Sequence, residues 1–529
     1  MNIKLLFLIV FALPLVAQDN FDYSFELTKL NLNNIPAIHS YAYAQHDGKW
    51  LIIGGRTDGL HPRQPFAAFS ASNNNNNIYV IDIINNVVAS APVSSLDVSI
   101  AEQLQSTNMN YYQDGDNLLI IGGYAFSSSN NDHITFPYLT ILKVSSLIDD
   151  ILNKRSINDN FFQIKDSNFA ITGGHLNKLG DYYYLIGGHK FNGRYNPMGN
   201  PTYVQEYSNQ VRKFNLDIEN KMILDYTTMT DALHLRRRDY NLVPQVFPDG
   251  RSGFMISSGV FQQGVDLPFL YPVNINENDY EPITSFNQYL SNYHSAVVPI
   301  YDKENNEMHS IFFGGISQFY YKDGEMVKDD LVPFVQTISR LTRYKDNSLK
   351  EYKINSEMPG LIGASAEFIK NENITTINDE IIDLNSIVSD TTTIGHIYGG
   401  IISNSLNPFS NNETNTTRGS SDIYEVKLIK SKSTRVDDIN GLNPYNFNTR
   451  YDSNHNVISI FLDLNKPLDI DFVVSTIEGN KIGSGTLNGA TIGTNTFQIQ
   501  LNENLSTQLV FVTLIFEEKF YVTKSIIIN

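Results

Sequence analysis

A short apolar run that stops at a glycine pair, or nearly so, recurs six times between residues 50 and 400. The copies are Leu51 to Gly55, Leu119 to Gly123, Tyr184 to Gly188, Met255 to Gly259, Ile311 to Gly315 and His396 to Gly400, with first positions 68, 65, 71, 56 and 85 residues apart. The fourth copy carries Ser258 where the others have their first glycine. Each run follows another β-like stretch, such as that from His39 to Ala44. Most precede a third stretch after a loop, as in Ile78 to Asp82, Val211 to Asn215 and Asp422 to Val426. Short alternating runs bounded by Gly, Asn and Ser predict strands, and long amphipathic periods are scarce, so the chain reads as all-β.

Two stretches break the count. After the sixth pair the chain supplies a strand at 422–429 but no fourth before the linker-like 431–450. Upstream, Tyr23 to Leu30 has strand character and nothing local to pair with. The economical expectation is that 22–30 becomes the outer strand of the sixth repeat and removes an open edge. From about 451 onward the pattern changes to short alternating strands at 457–462, 470–474, 496–501, 510–516 and 524–528, separated by Glu-Gly-Asn and Asn-Gly turns. That spacing predicts a small β-sandwich.

The six glycine-terminated strands, with their flanking strands, resemble kelch repeats, the four-stranded blades of a β-propeller. The resemblance spans roughly 20–430 and implies a six-bladed propeller over 18–430, closed by 22–30, a linker over 431–450 and the sandwich over 451–529. The C-terminal part resembles the type A sorting domain of type IX secretion cargo, known from Bacteroidota. The residues that carry this are Ile477 to Ile482, Asn495 to Ile499 and Tyr521 to Ile528, although Ser506-Thr507-Gln508 stands where that family usually has Ser-Gly. The resemblance implies engagement of the type IX translocon through 451–529.

Composition narrows the function classes. At the N-terminus, Lys4 precedes an apolar run from Leu5 to Leu15 and then Val16-Ala17, the layout of a secretory signal over residues 1–17. That run is too short to span a bilayer, and no other stretch is long and apolar enough, so no integral membrane segment is expected after signal cleavage. The expected location is secreted, or on the outer cell surface. The 529 residues include no Cys, so disulfides, Cys-ligated zinc and thiol nucleophiles are excluded. A cysteine-cross-linked tyrosine of the galactose-oxidase type is excluded with them. A net charge of −18 disfavours nucleic acid as a partner.

Candidate chemistry lies in the loops after the glycine pairs, at 56–77, 124–137, 189–208, 260–270, 316–334 and 401–420. Loops this long in a compact repeat are usually functional or disordered, and the kelch arrangement puts all six on one face, around one mouth. They bring Arg56, Tyr124, His189, Arg194 and Tyr195, with further aromatics at Phe319, Tyr320 and Tyr321. The innermost strands are expected to present His39, His175, Arg238 and His294 near the axis. Because these sit in different repeats, structural histidines are expected rather than a metal site, and no cofactor is expected. Arg236-Arg237-Arg238 before Asp239 is read either as a grip for an anion or as an ion pair within its blade. Aromatic faces with forked donors suit a protein or glycan ligand. No nucleophile elbow or other catalytic motif is present. A binding or scaffolding module is therefore expected, with an enzyme acting on a sugar or other small molecule, or a component of surface secretion or motility machinery, as alternatives.

Overall fold

A computed structural model describes residues 21–64, 66–196, 202–430, 445–476, 480–501, 507–517 and 520–528. The chain is all-β, 54% strand and 7% helix, and divides into two compact units, 1–430 and 431–529. The expected signal at 1–17 lies outside the described residues. Among the described residues no helix is long and apolar enough to cross a membrane.

The first unit is a succession of antiparallel sheets in propeller-like style. In chain order, their first strands are Ala42–His46, Asn110–Asp114, His175–Leu179, Asn241–Val246, Ala296–Asp302 and Leu361–Lys370. In each of the first five sheets, three further strands follow in sequence order, and the fifth adds Ile381–Asp383 and Thr376–Ile377 on the other side of its first strand, Ile381–Asp383 being parallel to it. In the sixth, Leu361–Lys370, Thr391–Ser403 and Ile423–Lys430 are followed by Tyr23–Lys29, which runs antiparallel to Ile423–Lys430 with Tyr23 opposite Lys430 and Lys29 opposite Tyr424.

Backbone hydrogen bonds tie the six sheets into a closed belt just before their first strands, or, at Ser365, within the first strand of the sixth. Ser40 N–H donates to Ser365 O, Ser365 to His294, His294 to Asp239, Asp239 to Gly173, Gly173 to Asn108, and Asn108 back to Ser40, at 2.9–3.2 Å. Five of these residues have positive φ, from 49° at Asp239 to 66° at Gly173. Serine, asparagine, aspartate and glycine tolerate that conformation better than bulky residues do. The second strand of each of the first five sheets stops at the glycine pair, that of the sixth runs through Gly399 and Gly400 to Ser403, and Ser258 at the fourth copy takes the same left-handed conformation (φ 55°) as the glycine it replaces. The core lies between neighbouring sheets. The first and second pack on each other through Leu51, Ile53, Leu118 and Ile120, with the helix Val144–Leu152 turning Val144, Leu147, Ile148 and Ile151 into the same cluster.

Several expected loops are strands. His189–Gly193 pairs with Tyr203–Tyr207 and touches Asp132–Thr135, so the insertions of the second and third sheets share one small four-stranded sheet. Phe319–Lys322 and Glu325–Lys328 form a separate hairpin.

The second unit holds two antiparallel sheets that share one apolar cluster. One contains Phe447–Asp452, Val457–Leu464 and Gly493–Gln500; the other Lys481–Ala490, Leu468–Thr476, Gln508–Phe516 and Phe520–Ile528. Gln508–Phe516 buries Val510, Val512, Leu514 and Phe516 at period two, as a strand with one covered face should. Two strands escaped sequence reading. Phe447–Asp452 is mostly polar and occupies the end of the expected linker 431–450, of which 431–444 lie outside the described residues. Lys481–Ala490 is Gly-rich and largely exposed.

Candidate functional site

The loops after the glycine pairs enclose a cavity of about 630 Å³, to which all six sheets contribute. Two positions recur around it. The residue before each belt position (His39, Thr107, Thr172, Arg238, Tyr293 and Ala364) lines the wall. So does the residue after most glycine pairs (Arg56, Tyr124, His189, Ile316 and Ile401). Backbone bridges join the two positions across a sheet, as in His39 with Arg56, Thr107 with Tyr124, Thr172 with His189 and Arg238 with Val260. The floor is the belt itself, which exposes Ser40, Asn108, Asp239, His294 and Ser365. Beneath it a second space of about 40 Å³ is lined by His175 and Glu367 together with Ser40, Asn108, Asp239 and His294, so the belt is the neck between them. The buried Asn110 Oδ1 at this lower space has no protein partner. Two or three waters fit such a volume and would satisfy it.

The expected site residues divide by role. Arg56 is spent on structure: its guanidinium grips Asp58 through two nitrogens at 2.6 and 2.8 Å and also donates to Asn74 and to Ser70 O. The same Asp58 carboxylate lies 3.8 Å from His39 Nε2, while His39 Nδ1 meets Ser40 Oγ at 3.0 Å. Tyr124 donates to Gly193 O and accepts from Tyr195 N–H, which locks the second and third loops together. Arg194 does not line the cavity; its Nε donates to Ala68 O and binds the third loop to the first. The basic run resolves as an internal structure and not an anion grip. Arg236 stacks on Tyr207 and donates to Phe261 O. Arg237 is fully buried and donates to three backbone carbonyls. Arg238 pairs with Asp239 at 2.6 Å beside the floor.

His189 faces the cavity in one tautomer. The Gln205 amide nitrogen donates to Nδ1 at 2.8 Å, which leaves the hydrogen on Nε2. Burial, and secondarily the Arg238 charge, hold its pKa well below the ordinary value, so it is neutral. His39, Arg238 and His294 lie in the connectors before the inner strands rather than within them, and only His175 begins a strand. Two of these histidines converge. The His175 and His294 rings are 5.2 Å apart, and His294 Nε2 is 3.4 Å from Glu367. Among the described residues no set of three or more His, Asp or Glu side chains is disposed to hold a metal.

Phe191 and His61, both candidates of the expected loops, line the cavity; Phe69, Tyr203, Phe261, Tyr293 and Phe409 line it too and were missed by sequence reasoning. His61 is stacked on Phe69 at 5.2 Å and edge-on to Tyr195 and Phe409. The aromatics at Phe319, Tyr320 and Tyr321 belong to the outer hairpin and do not line it. Phe409 lies within the expected loop 401–420; what picks it from its neighbours is the folding-back of that loop, which leaves no local pattern.

Burial perturbs the titrating groups in opposite directions. It lowers His175 and His309 to about 3 and His61 and His294 to about 4, and raises Glu351 and Glu367 to about 8 and Glu380 to about 7. From pH 4.5 down to about 3 the histidines are charged mostly in the unfolded chain alone, so stability falls as pH drops. Between pH 4.5 and 6.5 the two sets oppose each other. From pH 6.5 to about 8 the glutamates are ionised unfolded and protonated folded, so stability falls as pH rises. The first unit should therefore melt highest near pH 6. A melting temperature still climbing from pH 7 to 8 would contradict this assignment.

No family model matches the chain, and no curated protein matches it. Among solved structures, one described as "Structure of YjhT" aligns over 76% of this chain and 98% of its own, at 11% identity and a TM-score of 0.41. A likeness that weak carries no argument.

Proposed function

We propose that residues 18–430 are a six-bladed kelch-type propeller whose mouth binds an uncharged glycan. In this reading the chain is exported by type IX secretion through the 451–529 sandwich and acts at the cell surface or outside it. The observation that carries the binding reading is the cavity: about 630 Å³, walled by aromatic rings and floored by fixed polar groups. Single compact ligands occupy clefts of roughly 300–1,000 Å³. Rings stack on the apolar faces of sugars, while Asn108, His189 and the belt serines offer directional bonds to hydroxyls. A protein partner is better served by a broad face with outward aromatics, and here the rings turn inward. Charge favours a neutral ligand, because Arg56 and Arg238 are already paired with Asp58 and Asp239, and Asp266 and Asp330 add negative charge to the lining.

Screening the purified protein against immobilised neutral oligosaccharides tests this. At least one should bind, and Phe191→Ala and Tyr195→Ala should each weaken binding about tenfold, the effect of losing about 1.4 kcal/mol of ring contact. Absence of binding, or variants that bind as well as the parent, would refute it. For the export reading, a chain lacking 451–529 should remain in the periplasm of a type IX-secreting host, and undiminished surface display would refute that part.

A further inference from the structure

We propose that the cavity reads the free end of a glycan chain and not a stretch within one; this rests on the glycan reading above. The observation behind it is the segment 371–386, between the first two strands of the sixth sheet. Glu372 accepts from Gly48 N–H in the turn after the first strand of the first sheet. Glu380 accepts from Asn177 Nδ2 on the first strand of the third sheet at 3.0 Å. Asn378 donates to Ser252 at the start of the fourth sheet's second strand at 2.7 Å. Ile381–Asp383 runs parallel to the first strand of the fifth, with Ile382 opposite Ile300.

A segment rooted in the sixth sheet and anchored on the first, third, fourth and fifth crosses the axis of the ring. Its anchors are the first-to-second-strand turns and neighbouring strand positions, at the end opposite the cavity mouth. Ile377 and Ile381 pack with Val246 and Met308 there, which makes the closure an apolar seal as well as a set of hydrogen bonds. The axial passage is consequently blind. Above the seal come the small water-sized space and then the belt, whose backbone is fixed by its own six hydrogen bonds.

A linear polymer cannot thread a passage closed at one end. It can enter the mouth only by its terminus, and the terminal unit then meets the floor. There Asn108 Nδ2 donates to Asp239 Oδ1 at 3.3 Å and Thr107 Oγ1 donates to Asn108 Oδ1 at 2.8 Å, which holds these polar groups in place. Fixed donors and acceptors at the blind end, with aromatic rings only along the walls, give the terminal unit hydroxyl-specific contacts and its neighbours ring contacts. A mid-chain site needs the reverse, an open groove with its contacts spread along the polymer.

The test uses the full secreted chain and malto-, cello-, xylo-, manno- and chito-oligosaccharides from di- to hexasaccharide, titrated by calorimetry. The matching polysaccharides are measured before and after limited endo-hydrolysis. The chain-end reading expects one protein per oligosaccharide molecule at every length and an affinity that levels off within the series. It also expects bound protein per gram of polysaccharide to rise in proportion to the new ends. More than one protein per hexasaccharide, or capacity unchanged by endo-hydrolysis, overturns the chain-end inference and leaves glycan binding standing. No binding in any series overturns the glycan reading and this inference together.

Discussion

A chain lacking residues 21–30 should lose the cooperative thermal transition of its first unit. Tyr23–Lys29 is a short strand, but it is paired along its whole length with Tyr424–Lys430. Phe25 is 3% exposed and packs edge-on against Phe313 of the fifth sheet at 5.7 Å. Ser356 Oγ, also in the fifth sheet, donates to Phe25 O at 2.6 Å, and Lys29 reaches Asp422 at 2.7 Å. The strand therefore completes the sixth sheet and braces it against the fifth. Loss of a buried Phe side chain alone costs about 3–5 kcal/mol. The lost backbone hydrogen bonds add about 0.5–1.5 kcal/mol each. Together these approach the whole stability of an ordinary domain, about 5–15 kcal/mol. Circular dichroism and calorimetry should show the second unit still folded and the first unit without a sharp transition. The milder Phe25→Ala should keep the transition at a lower temperature. A first-unit midpoint unchanged by the deletion would mean that the strand is an ornament on a sheet already stable without it.

What could be read from the sequence here follows from what is local. Glycine-terminated strands are legible because crowding and left-handed backbone act within a few residues, and Ser258 shows that the conformation, not the glycine itself, is what the position keeps. Arg56, Tyr124 and His189 were legible as site candidates because they sit beside that landmark, and His39 and Arg238 because they lie where the repeat begins its innermost strand. The partners that decide their roles are distant. Nothing near Arg194 says that it will donate to Ala68, and nothing near Arg56 says that Asn74 and Asp58 will consume its donors. The approach of His175 to His294 depends on how tightly the belt closes, a property of the whole ring. The apolar spacing of Val144, Leu147, Ile148 and Ile151 was present to be read, yet a chain judged by its strand pattern conceals one short helix. The seal at 371–386 had no signal, since its anchors are isolated backbone and side-chain contacts on four other sheets.

The second large effect concerns the glycine pair, and a matched comparison isolates its cause. Gly122 and Gly115 both have positive φ, at 70° and 57°. A Cβ on Gly115 would meet nothing within 4 Å, whereas one on Gly122 would lie 1.8 Å from Ile171 O and 3.0 Å from Phe169 O, both backbone. The Ile171 carbonyl cannot retreat freely, because Gly123 N–H and Asn110 Nδ2 both donate to it at 3.0 Å. Gly115→Ala should cost only the left-handed conformation, about 1–2 kcal/mol. Gly122→Ala should cost that and a further ~1–3 kcal/mol for forcing apart well-packed backbone. The displaced connector carries Thr172 of the cavity wall and Gly173 of the belt, so Gly122→Ala should also weaken ligand binding while Gly115→Ala leaves it unchanged. Denaturant titration of the two variants provides the measurement. Equal losses would show that the glycine pairs are kept for backbone conformation alone. A larger loss at Gly122, with impaired binding, would show that the missing side chain sets how closely adjacent sheets approach, and through that the width of the mouth.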